Sequence, residues 1–280
     1  MIPAEFDYAK PGSIDEAIQA LAEGGEDAKV LAGGHSLLPL MKLRLALPSL
    51  LVDIGGLDEL RGVERQNGGW RIGALTTHAT LQTSDELGVV AHAASLIADQ
   101  QVRNRGTIGG SLAHGDPAAD LPAVLLACEG EVTARGSGGV RTIPAGELFQ
   151  DYLTTALAVD EVLTDVTLPT LEGWSWGYEK FNRRAEDWAM VGVCALVKES
   201  GGSCEDVRIG LTHMGPVPLR ATTAEEALRG QPLDADRIAA AAEQASEGTD
   251  PPGDLNATPD YKRHLARVLT GRALQKATGG

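Results

Sequence analysis

The stretch Lys29-Val-Leu-Ala-Gly-Gly-His-Ser-Leu-Leu-Pro-Leu-Met41 places a run of small and polar residues between two apolar segments. Lys29 to Ala32 predict the end of a strand, and Gly33-Gly34-His35-Ser36 predict a tight turn after it. The apolar residues 37–47 are predicted to lie in the core. Small residues after a strand let the backbone approach a ligand closely and direct bare N–H groups at it. The turn therefore predicts a phosphate site.

A second stretch of this kind, Thr107-Ile-Gly-Gly-Ser111, is also predicted to be a small-residue turn. Each motif alone is weak evidence, since a tight turn needs no ligand. Together, two such turns are able to hold a pyrophosphate from both sides through their backbone N–H groups. Neither a G-x-G-x-x-G fingerprint nor a G-x-x-x-x-G-K-[ST] phosphate loop occurs in the chain. The pair of turns predicts a dinucleotide that is bound by another scheme.

Length, charge and apolar content exclude several classes of protein. The chain has 280 residues, 43% of them hydrophobic, which predicts one large domain or two ordinary ones. A net charge of −15 argues against binding to nucleic acid or to an anionic membrane surface. No apolar run approaches the ~18 residues of a membrane span, so we predict none.

Cysteine usage argues against a metal cluster in this chain. Its three cysteines, Cys128, Cys194 and Cys204, are widely spaced and form no C-x-x-C motif. An iron–sulfur cluster needs about four thiolates, so we predict that the chain carries none and has no metal site. We expect the thiols to be reduced, small and buried. The first seven residues lack the pattern of a signal peptide, so we predict a cytoplasmic protein.

The order of the predicted elements indicates an α+β fold. Ser13 is predicted to cap a helix from Ile14 to Ala22, with Glu16 completing a capping box. Asn67-Gly68 predicts a hairpin turn, and a domain boundary is predicted near residues 169–173. Further predictions are a helix that begins near Pro117, an apolar helix at 120–127, a short helix at 147–152, strands at 174–181, 191–198 and 207–214, and helices at 224–228, 235–246 and 259–274.

The paired motifs carry a resemblance to a known family. Ala32-Gly-Gly-His-Ser36 and Thr107-Ile-Gly-Gly-Ser111, followed by Asp116-Pro-Ala-Ala-Asp120, closely resemble the FAD-binding medium subunits of molybdenum-containing hydroxylases. This is the family of the carbon monoxide dehydrogenase and xanthine dehydrogenase flavoproteins. Residues 178–191 resemble that family's entry into its C-terminal domain, and the resemblance extends over essentially the whole chain.

The resemblance implies a fold with two domains. Residues 1–172 would form an FAD-binding domain of the vanillyl-alcohol-oxidase type, with subdomains at about 1–55 and 56–172. Residues 173–280 would form a C-terminal domain of the carbon monoxide dehydrogenase flavoprotein type. That domain is expected to contain a three-stranded antiparallel sheet and helices.

The resemblance also implies a non-covalent FAD site. Backbone groups of 32–36 and 107–111 would hold the pyrophosphate, Asp120 would reach the ribityl hydroxyls, and Leu163 and Lys180 would border the isoalloxazine. Trp188 lies near the family's flavin-covering aromatic residue. The residues expected at the FAD are Ala32, Gly33, Gly34, His35, Ser36, Leu37, Thr107, Ile108, Gly109, Gly110, Ser111, Asp120, Leu163 and Lys180.

Two side chains of this expected site raise questions of their own. In some flavoenzymes of the same fold a histidine after Gly-Gly is bonded to the flavin, whereas here we expect His35 to contact FAD without a covalent bond. A cationic Lys180 near the ring would favour the reduced, anionic flavin. His114 lies close to the second motif, and its role is left open.

The function that the resemblance implies is electron transfer within a larger complex. Electrons would reach the FAD from a small iron–sulfur subunit, which is fed by a large molybdopterin subunit, and would pass to quinone, NAD or oxygen. The complex is expected to be a dimer of heterotrimers. No catalytic residue is assigned in this chain, since no catalytic dyad stands out, and the sequence does not name the substrate.

Two alternatives remain open from the sequence. The first is a self-sufficient FAD-dependent reductase or oxidase of the same fold, similar to the NADPH-dependent enolpyruvyl-sugar reductases. Such an enzyme needs acid–base residues that face the flavin, and none stands out. The second is a binding or structural protein that keeps only the fold; the intact glycine motifs and Asp120 argue against it.

Overall fold

A small parallel sheet with one covering helix opens the chain. The computed structural model describes residues 2–279. In the first sheet the strand order is β1-β3-β2, and both pairings are parallel. The elements of this part are β1 Asp7–Ala9, α1 Ile14–Gly24, β2 Ala28–Leu31, α2 Leu37–Leu43 and β3 Leu50–Asp53. Helix α1 buries Ala17, Ile18 and Leu21 against the sheet.

Helix α1 is capped at the residue that the sequence predicts. The Ser13 hydroxyl accepts a hydrogen bond from the Glu16 N–H at 3.2 Å. The Glu16 carboxylate, however, accepts from the Gly12 N–H at 2.7 Å. In a full capping box it would accept from the cap residue itself. The predicted helix is confirmed, and its box closes one residue earlier than expected.

The second part of the chain is a five-stranded antiparallel sheet with helices packed on it. The strand order is β4-β5-β10-β6-β7. The predicted hairpin is confirmed, because Asn67 and Gly68 both adopt positive φ angles of 51° and 80° between its strands. The strands are β4 Val63–Gln66, β5 Gly69–Gly73, β6 Glu131–Gly136, β7 Gly139–Pro144, β8 Phe149–Asp151, β9 Thr154–Thr155 and β10 Val162–Leu168. The helices are α3 His78–Leu81, α4 Val89–Ser95, α5 Gln100–Arg103, α6 Ile108–His114, α7 Asp120–Ala127 and α8 Ala145–Leu148.

The third part is a meander of antiparallel strands followed by helices. Its order is β11-β12-β13-β14. The three predicted long strands are present, and a two-residue strand adds a fourth member at the edge. The elements are β11 Trp174–Phe181, β12 Val191–Ser200, β13 Ser203–Thr212, β14 Leu219–Arg220, α9 Thr222–Leu228, α10 Ala235–Glu243 and α11 Pro259–Ala277.

Strand β12 is buried on both faces, and this fixes the third part against the second. Val193 and Ala195 pack with helix α11, while Cys194 and Leu196 join the core that contains α4 and α7. Alternate residues of a strand point to opposite faces of the sheet, so one strand contributes to two cores. The neighbouring strand β11 packs against helix α4 of the second part.

The Gly-rich segment at 107–111 is the start of a helix, so its prediction as a turn is wrong. The Thr107 hydroxyl caps helix α6 by accepting from the Gly110 N–H at 3.1 Å. The helix ends at Gly115, which adopts a left-handed φ of 64°. Two smaller predictions also fail. The next helix begins at Asp120 instead of near Pro117, and the predicted helix at 147–152 is a turn of helix followed by strand β8.

The apolar residues after the first motif do not all lie in the core, so that prediction is wrong. Met41 is buried, but Leu43, Leu45 and Leu47 are 57%, 73% and 60% exposed. Helix α2 has only seven residues, and the chain after it runs along the surface. Within residues 2–279 every helix is too short or too polar to cross a bilayer.

Candidate functional site

One cavity of about 590 Å³ opens where the three parts of the chain meet. Its volume lies within the range of about 300–1,000 Å³ that is typical of ligand pockets. All the residues predicted for the FAD site line it, with the exception of Ile108. The Ile108 side chain points instead into the core around α4 and α7, where it is 3% exposed. His114 and Trp188 also line the cavity.

The first motif presents a series of unpaired amide donors to this cavity. Within residues 2–279 no acceptor takes the backbone N–H groups of Gly34, His35, Ser36 or Leu37. Gly34 has a φ of 78°, a conformation that glycine adopts without strain. Consecutive free N–H groups around a left-handed residue form a concave site for an anion. The segment 34–37 therefore fits a phosphate group.

In the second motif the N–H groups of residues 108–111 are already paired within the protein. The N–H groups of Ile108 and Gly109 donate to the carbonyls of Thr76 and Ala74, at 3.0 and 2.9 Å. Those of Gly110 and Ser111 donate to the hydroxyl and carbonyl of Thr107. The prediction that both motifs direct free N–H groups at a pyrophosphate is therefore not met by residues 108–111 of the second motif. Its glycines serve close packing, since a Cβ atom at Gly109 would lie 2.5 Å from the Cβ of Ala74.

The two motifs touch at Gly33. A Cβ atom at this position would lie 2.2 Å from the carbonyl oxygen of Arg105 and 2.9 Å from the Cα of Gly106. Real Cβ atoms do not make contacts this short, so only glycine fits here without displacement of the backbone. The contact joins the end of strand β2 to the segment that leads into helix α6. Gly33 therefore fixes the spacing between the two walls of the cavity.

A buried triad of polar side chains lies beside the cavity, and two of its members, Asp120 and Lys180, line it. The Asp120 carboxylate accepts from the Tyr178 hydroxyl at 2.6 Å and from the Lys180 ammonium at 2.9 Å. Lys180 also donates to the carbonyl of Leu96 at 2.9 Å. Burial raises the pKa of the Asp120 carboxyl, and Lys180 and Tyr178 oppose this shift without reversing it. Burial and Asp120 together hold the pKa of Tyr178 well above its usual value, so the phenol keeps its proton.

A second histidine accompanies His35 at the cavity. His78 is 5% exposed, and its buried Nδ1 atom has no hydrogen-bond partner within residues 2–279. Burial, together with the nearby His35 and Arg103, lowers the pKa of His78 to about 4. The imidazole is thus neutral at pH 7. The side chain of His35 is exposed to the solvent.

Sequence reasoning did not assign His78 or Tyr178 to the site. Tyr178 lies in the segment that carries the resemblance, but its contact with Asp120 joins residues 58 positions apart in the chain. His78 follows two threonines at the N-terminus of α3, and nothing in that local pattern indicates a buried imidazole. Both residues reach the site only through contacts with residues that are distant in the chain.

The donor set fits a flavin dinucleotide. Four free amide N–H groups suit a pyrophosphate, and a buried carboxylate with a cation suits the hydroxyl and ring groups of a flavin. The orphaned Nδ1 atom of His78 adds a polar group beside the first motif. Residues 2–279 contain no cluster of side chains suited to a metal ion. All three cysteines are free thiols and buried, as predicted. Burial raises the pKa of Cys128 to about 12, so this thiol is not reactive.

Two family comparisons cover nearly the whole chain. Residues 4–171 match the family described as "FAD binding domain in molybdopterin dehydrogenase". Residues 176–277 match the family described as "CO dehydrogenase flavoprotein C-terminal domain".

Individual relatives agree with these families. The carbon monoxide dehydrogenase medium chain of Hydrogenophaga pseudoflava is 42% identical over 282 residues, which cover 99% of this chain and 98% of that one. The alpha subunit of the 6-hydroxypseudooxynicotine dehydrogenase complex of Paenarthrobacter nicotinovorans is 40% identical, over 99% of this chain and 96% of that one.

Solved structures superpose closely on the whole chain. A chain of the H. pseudoflava carbon monoxide dehydrogenase that lacks the Mo-pyranopterin moiety matches with a TM-score of 0.97 and 43% identity, and the match covers 100% of this chain and 99% of that one. A chain of quinoline 2-oxidoreductase from Pseudomonas putida 86 matches with a TM-score of 0.95 and 35% identity over the same shares.

Proposed function

Since the chain belongs to the family of FAD-binding medium subunits of molybdenum hydroxylases, we propose that it is the electron-transfer subunit of such a complex. It would accept electrons from iron–sulfur clusters in a partner subunit and deliver them to an external acceptor. The observation that carries this proposal is one cavity that combines four free backbone N–H groups with a buried Asp–Lys pair.

Bound FAD supplies the redox chemistry of the subunit, and the protein supplies position and electrostatics. The N–H groups of residues 34–37 bind the pyrophosphate, and Gly33 keeps the two walls of the cavity at the required spacing. Asp120 would accept a hydrogen bond from a ribityl hydroxyl, and Tyr178 and Lys180 hold its carboxylate in place. Lys180 and Leu163 would border the isoalloxazine, and Trp188 lines the same cavity.

The remaining residues of the expected site complete the pyrophosphate end of the cavity. Thr107, the cap of helix α6, lines this wall together with Gly109, Gly110 and Ser111 of the helix, whose N–H groups are already paired. Ala32 closes strand β2 beside them, and His35 contacts the cofactor without a covalent bond.

The subunit works with two partners in this proposal. One is a small iron–sulfur subunit, the other is a large molybdopterin subunit, and the assembly is a dimer of heterotrimers in the cytoplasm. Support comes from the relatives, which are named as medium chains or as subunits of dehydrogenase complexes. Exposed leucines at 43, 45 and 47 also fit a protein that buries this surface in a complex. The acceptor would be quinone, NAD or oxygen.

The same proposal divides the chain near residue 172. Residues 1–172 form the FAD-binding domain and residues 173–280 the C-terminal domain, which reaches back to the cavity through Lys180 and residues 186–188. The two matched families meet between residues 171 and 176, which supports this division.

Substrate choice belongs to another subunit in this proposal. Relatives of similar identity are named for carbon monoxide, 6-hydroxypseudooxynicotine and glyceraldehyde. Similar flavoprotein subunits therefore occur in complexes that act on chemically unrelated substrates.

Anaerobic reduction of the native complex tests the proposal. A panel containing carbon monoxide, an aldehyde, a purine and an N-heterocycle is added to the complex, and the flavin absorbance is followed. We expect one compound to bleach the flavin in the complex but not in the isolated, FAD-loaded chain. Bleaching by NADPH or by a substrate in the isolated chain at the rate of the complex would favour a self-sufficient flavoenzyme and would contradict the proposal.

A further inference from the structure

The hairpin loop 182–190 connects β11 to β12 and forms part of the cavity wall. It is closed by a hydrogen bond from the Met190 N–H to the Phe181 carbonyl at 2.8 Å. Trp188 lines the cavity and is 56% exposed, whereas the next residue, Ala189, is 1% exposed. Ala189 is therefore the anchored end of the loop, and the position of Trp188 depends on that anchor.

His213 holds this anchor. Its Nδ1 atom lies 2.9 Å from the carbonyl oxygen of Ala189, and its Nε2 atom lies 3.2 Å from the ammonium of Lys262. A carbonyl only accepts hydrogen bonds, and an ammonium only donates them. The two partners therefore fix the neutral tautomer of His213 that carries its proton on Nδ1.

His213 is itself held from several sides. Its backbone adopts a left-handed φ of 63°, and its N–H donates to the Pro117 carbonyl at 2.8 Å. The Lys262 side chain is fully buried and donates to the Asp254 carboxylate at 2.7 Å. That carboxylate also accepts from the N–H groups of Asn256 and Ala257. The network thus joins the loop to strand β13, helix α11 and the segment before that helix.

The buried surroundings of His213 keep its imidazole neutral. Burial lowers the pKa of the imidazole, and the Lys262 ammonium lowers it further. The carboxylates of Asp254 and Asp116 and the bond to Ala189 oppose this shift without reversing it. A neutral ring is the form that both hydrogen bonds require.

We propose that His213 is a positioning residue, which keeps Trp188 and its loop in place at the mouth of the FAD cavity through the Ala189 carbonyl. This inference rests on the proposed function only for the identity of the ligand. Without the Nδ1–H donor the anchored end of the loop loses its side-chain partner. The loop then opens more often, and FAD leaves the cavity faster.

The test compares His213→Ala with His213→Asn. Asparagine tolerates a left-handed backbone, and its amide places an N–H donor close to the position of Nδ1. The first readout is hydrogen–deuterium exchange of residues 182–190 in the chain without FAD. The second is the rate of FAD release from the native complex. Lys198→Ala, which removes an exposed ion pair with Glu205 on the same sheet, serves as the control.

We expect His213→Ala to exchange its loop amides and release FAD about tenfold faster than the native protein, as one lost hydrogen bond implies. We expect His213→Asn and Lys198→Ala to behave like the native protein. Equal rates for His213→Ala and the native protein in both readouts would overturn the inference.

A further pair of variants keeps the test decisive if His213→Ala does not fold. His213→Asp has the shape of His213→Asn but presents an acceptor to the Ala189 carbonyl, so it should loosen the loop where asparagine does not. Identical loop exchange in the two variants would overturn the inference. A native complex that binds no FAD would instead refute the proposed function, and the loop exchange would still report on His213.

Discussion

The ammonium of Lys180 lies 2.9 Å from Oδ2 of Asp120, and only 4% of each side chain is exposed. The pair connects β11 of the C-terminal part to the first residue of helix α7. The Tyr178 hydroxyl donates a further hydrogen bond to Asp120, and the Leu96 carbonyl accepts one from Lys180, so neither charge is left unpaired. The cofactor cavity thus contains a cation whose charge is balanced within the protein before any ligand binds.

Removal of one partner should strongly destabilise the fold. Asp120→Ala leaves the Lys180 charge buried without compensation, which typically costs about 3–5 kcal/mol of unfolding free energy. Asp15→Ala breaks the exposed pair with Arg135 and should cost less than about 1 kcal/mol. Urea unfolding of both variants checks this difference. Similar losses of unfolding free energy would show that the buried pair contributes no more to stability than the exposed pair does.

The Lys180–Asp120 pair should also set the midpoint potential of the flavin. Lys180→Met removes the cation and lowers the midpoint potential, whereas Asp120→Asn removes the opposing carboxylate and raises it. A change of about 1.4 kcal/mol in the stability of the two-electron reduced state corresponds to about 30 mV. Spectroelectrochemistry of the native complex at pH 8 measures both shifts. Two unchanged potentials would show that the pair does not face the isoalloxazine.

His78 should make the fold sensitive to acid. The unfolded chain binds a proton at this residue below pH 6.5, whereas burial holds the folded pKa at about 4. The unfolding free energy therefore falls as the pH drops from about 6.5 to 4, by up to about 3 kcal/mol from this residue. His78→Gln should flatten that part of the stability profile. A variant profile parallel to the native one would contradict this account.

His35 should leave the flavin free to dissociate. Its exposed imidazole forms no hydrogen bond within the described part of the chain, and we expect it to contact FAD without a covalent bond. Trichloroacetic acid should precipitate the protein and leave all the FAD in the supernatant. Flavin fluorescence in the washed pellet would identify a covalent link.

Local features of the fold were predictable from the sequence. Ser13 caps α1 and Asn67-Gly68 turns a hairpin because each depends on residues within a few positions. Thr107 is a good helix cap by its type, but the two glycines after it indicated a turn. The structure shows that Gly109 is required for close packing against Ala74 of the neighbouring segment, and local propensity does not contain that contact.

Most of the residues that line the cavity were predictable from the sequence, whereas their hydrogen bonds, charge pairing and exposure were not. The family resemblance supplied most of the residues that line the cavity, but it did not show that the N–H groups of residues 108–111 are already paired within the protein. It also did not show that Lys180 is already paired with Asp120, or that Leu43 and its neighbours are exposed. Each of these depends on residues that are distant in the chain and meet only in the folded protein.

The FAD content of the native complex after a change at Gly33 tests the central claim most directly. Gly33→Ala places a Cβ atom 2.2 Å from the Arg105 carbonyl oxygen, whereas the Cβ of Gly146→Ala meets nothing within 4 Å. We predict that the complex with Gly33→Ala keeps its iron and molybdenum but loses most of its FAD, and that Gly146→Ala retains one FAD per copy of this chain. A Gly33→Ala complex with its full complement of FAD would contradict the account.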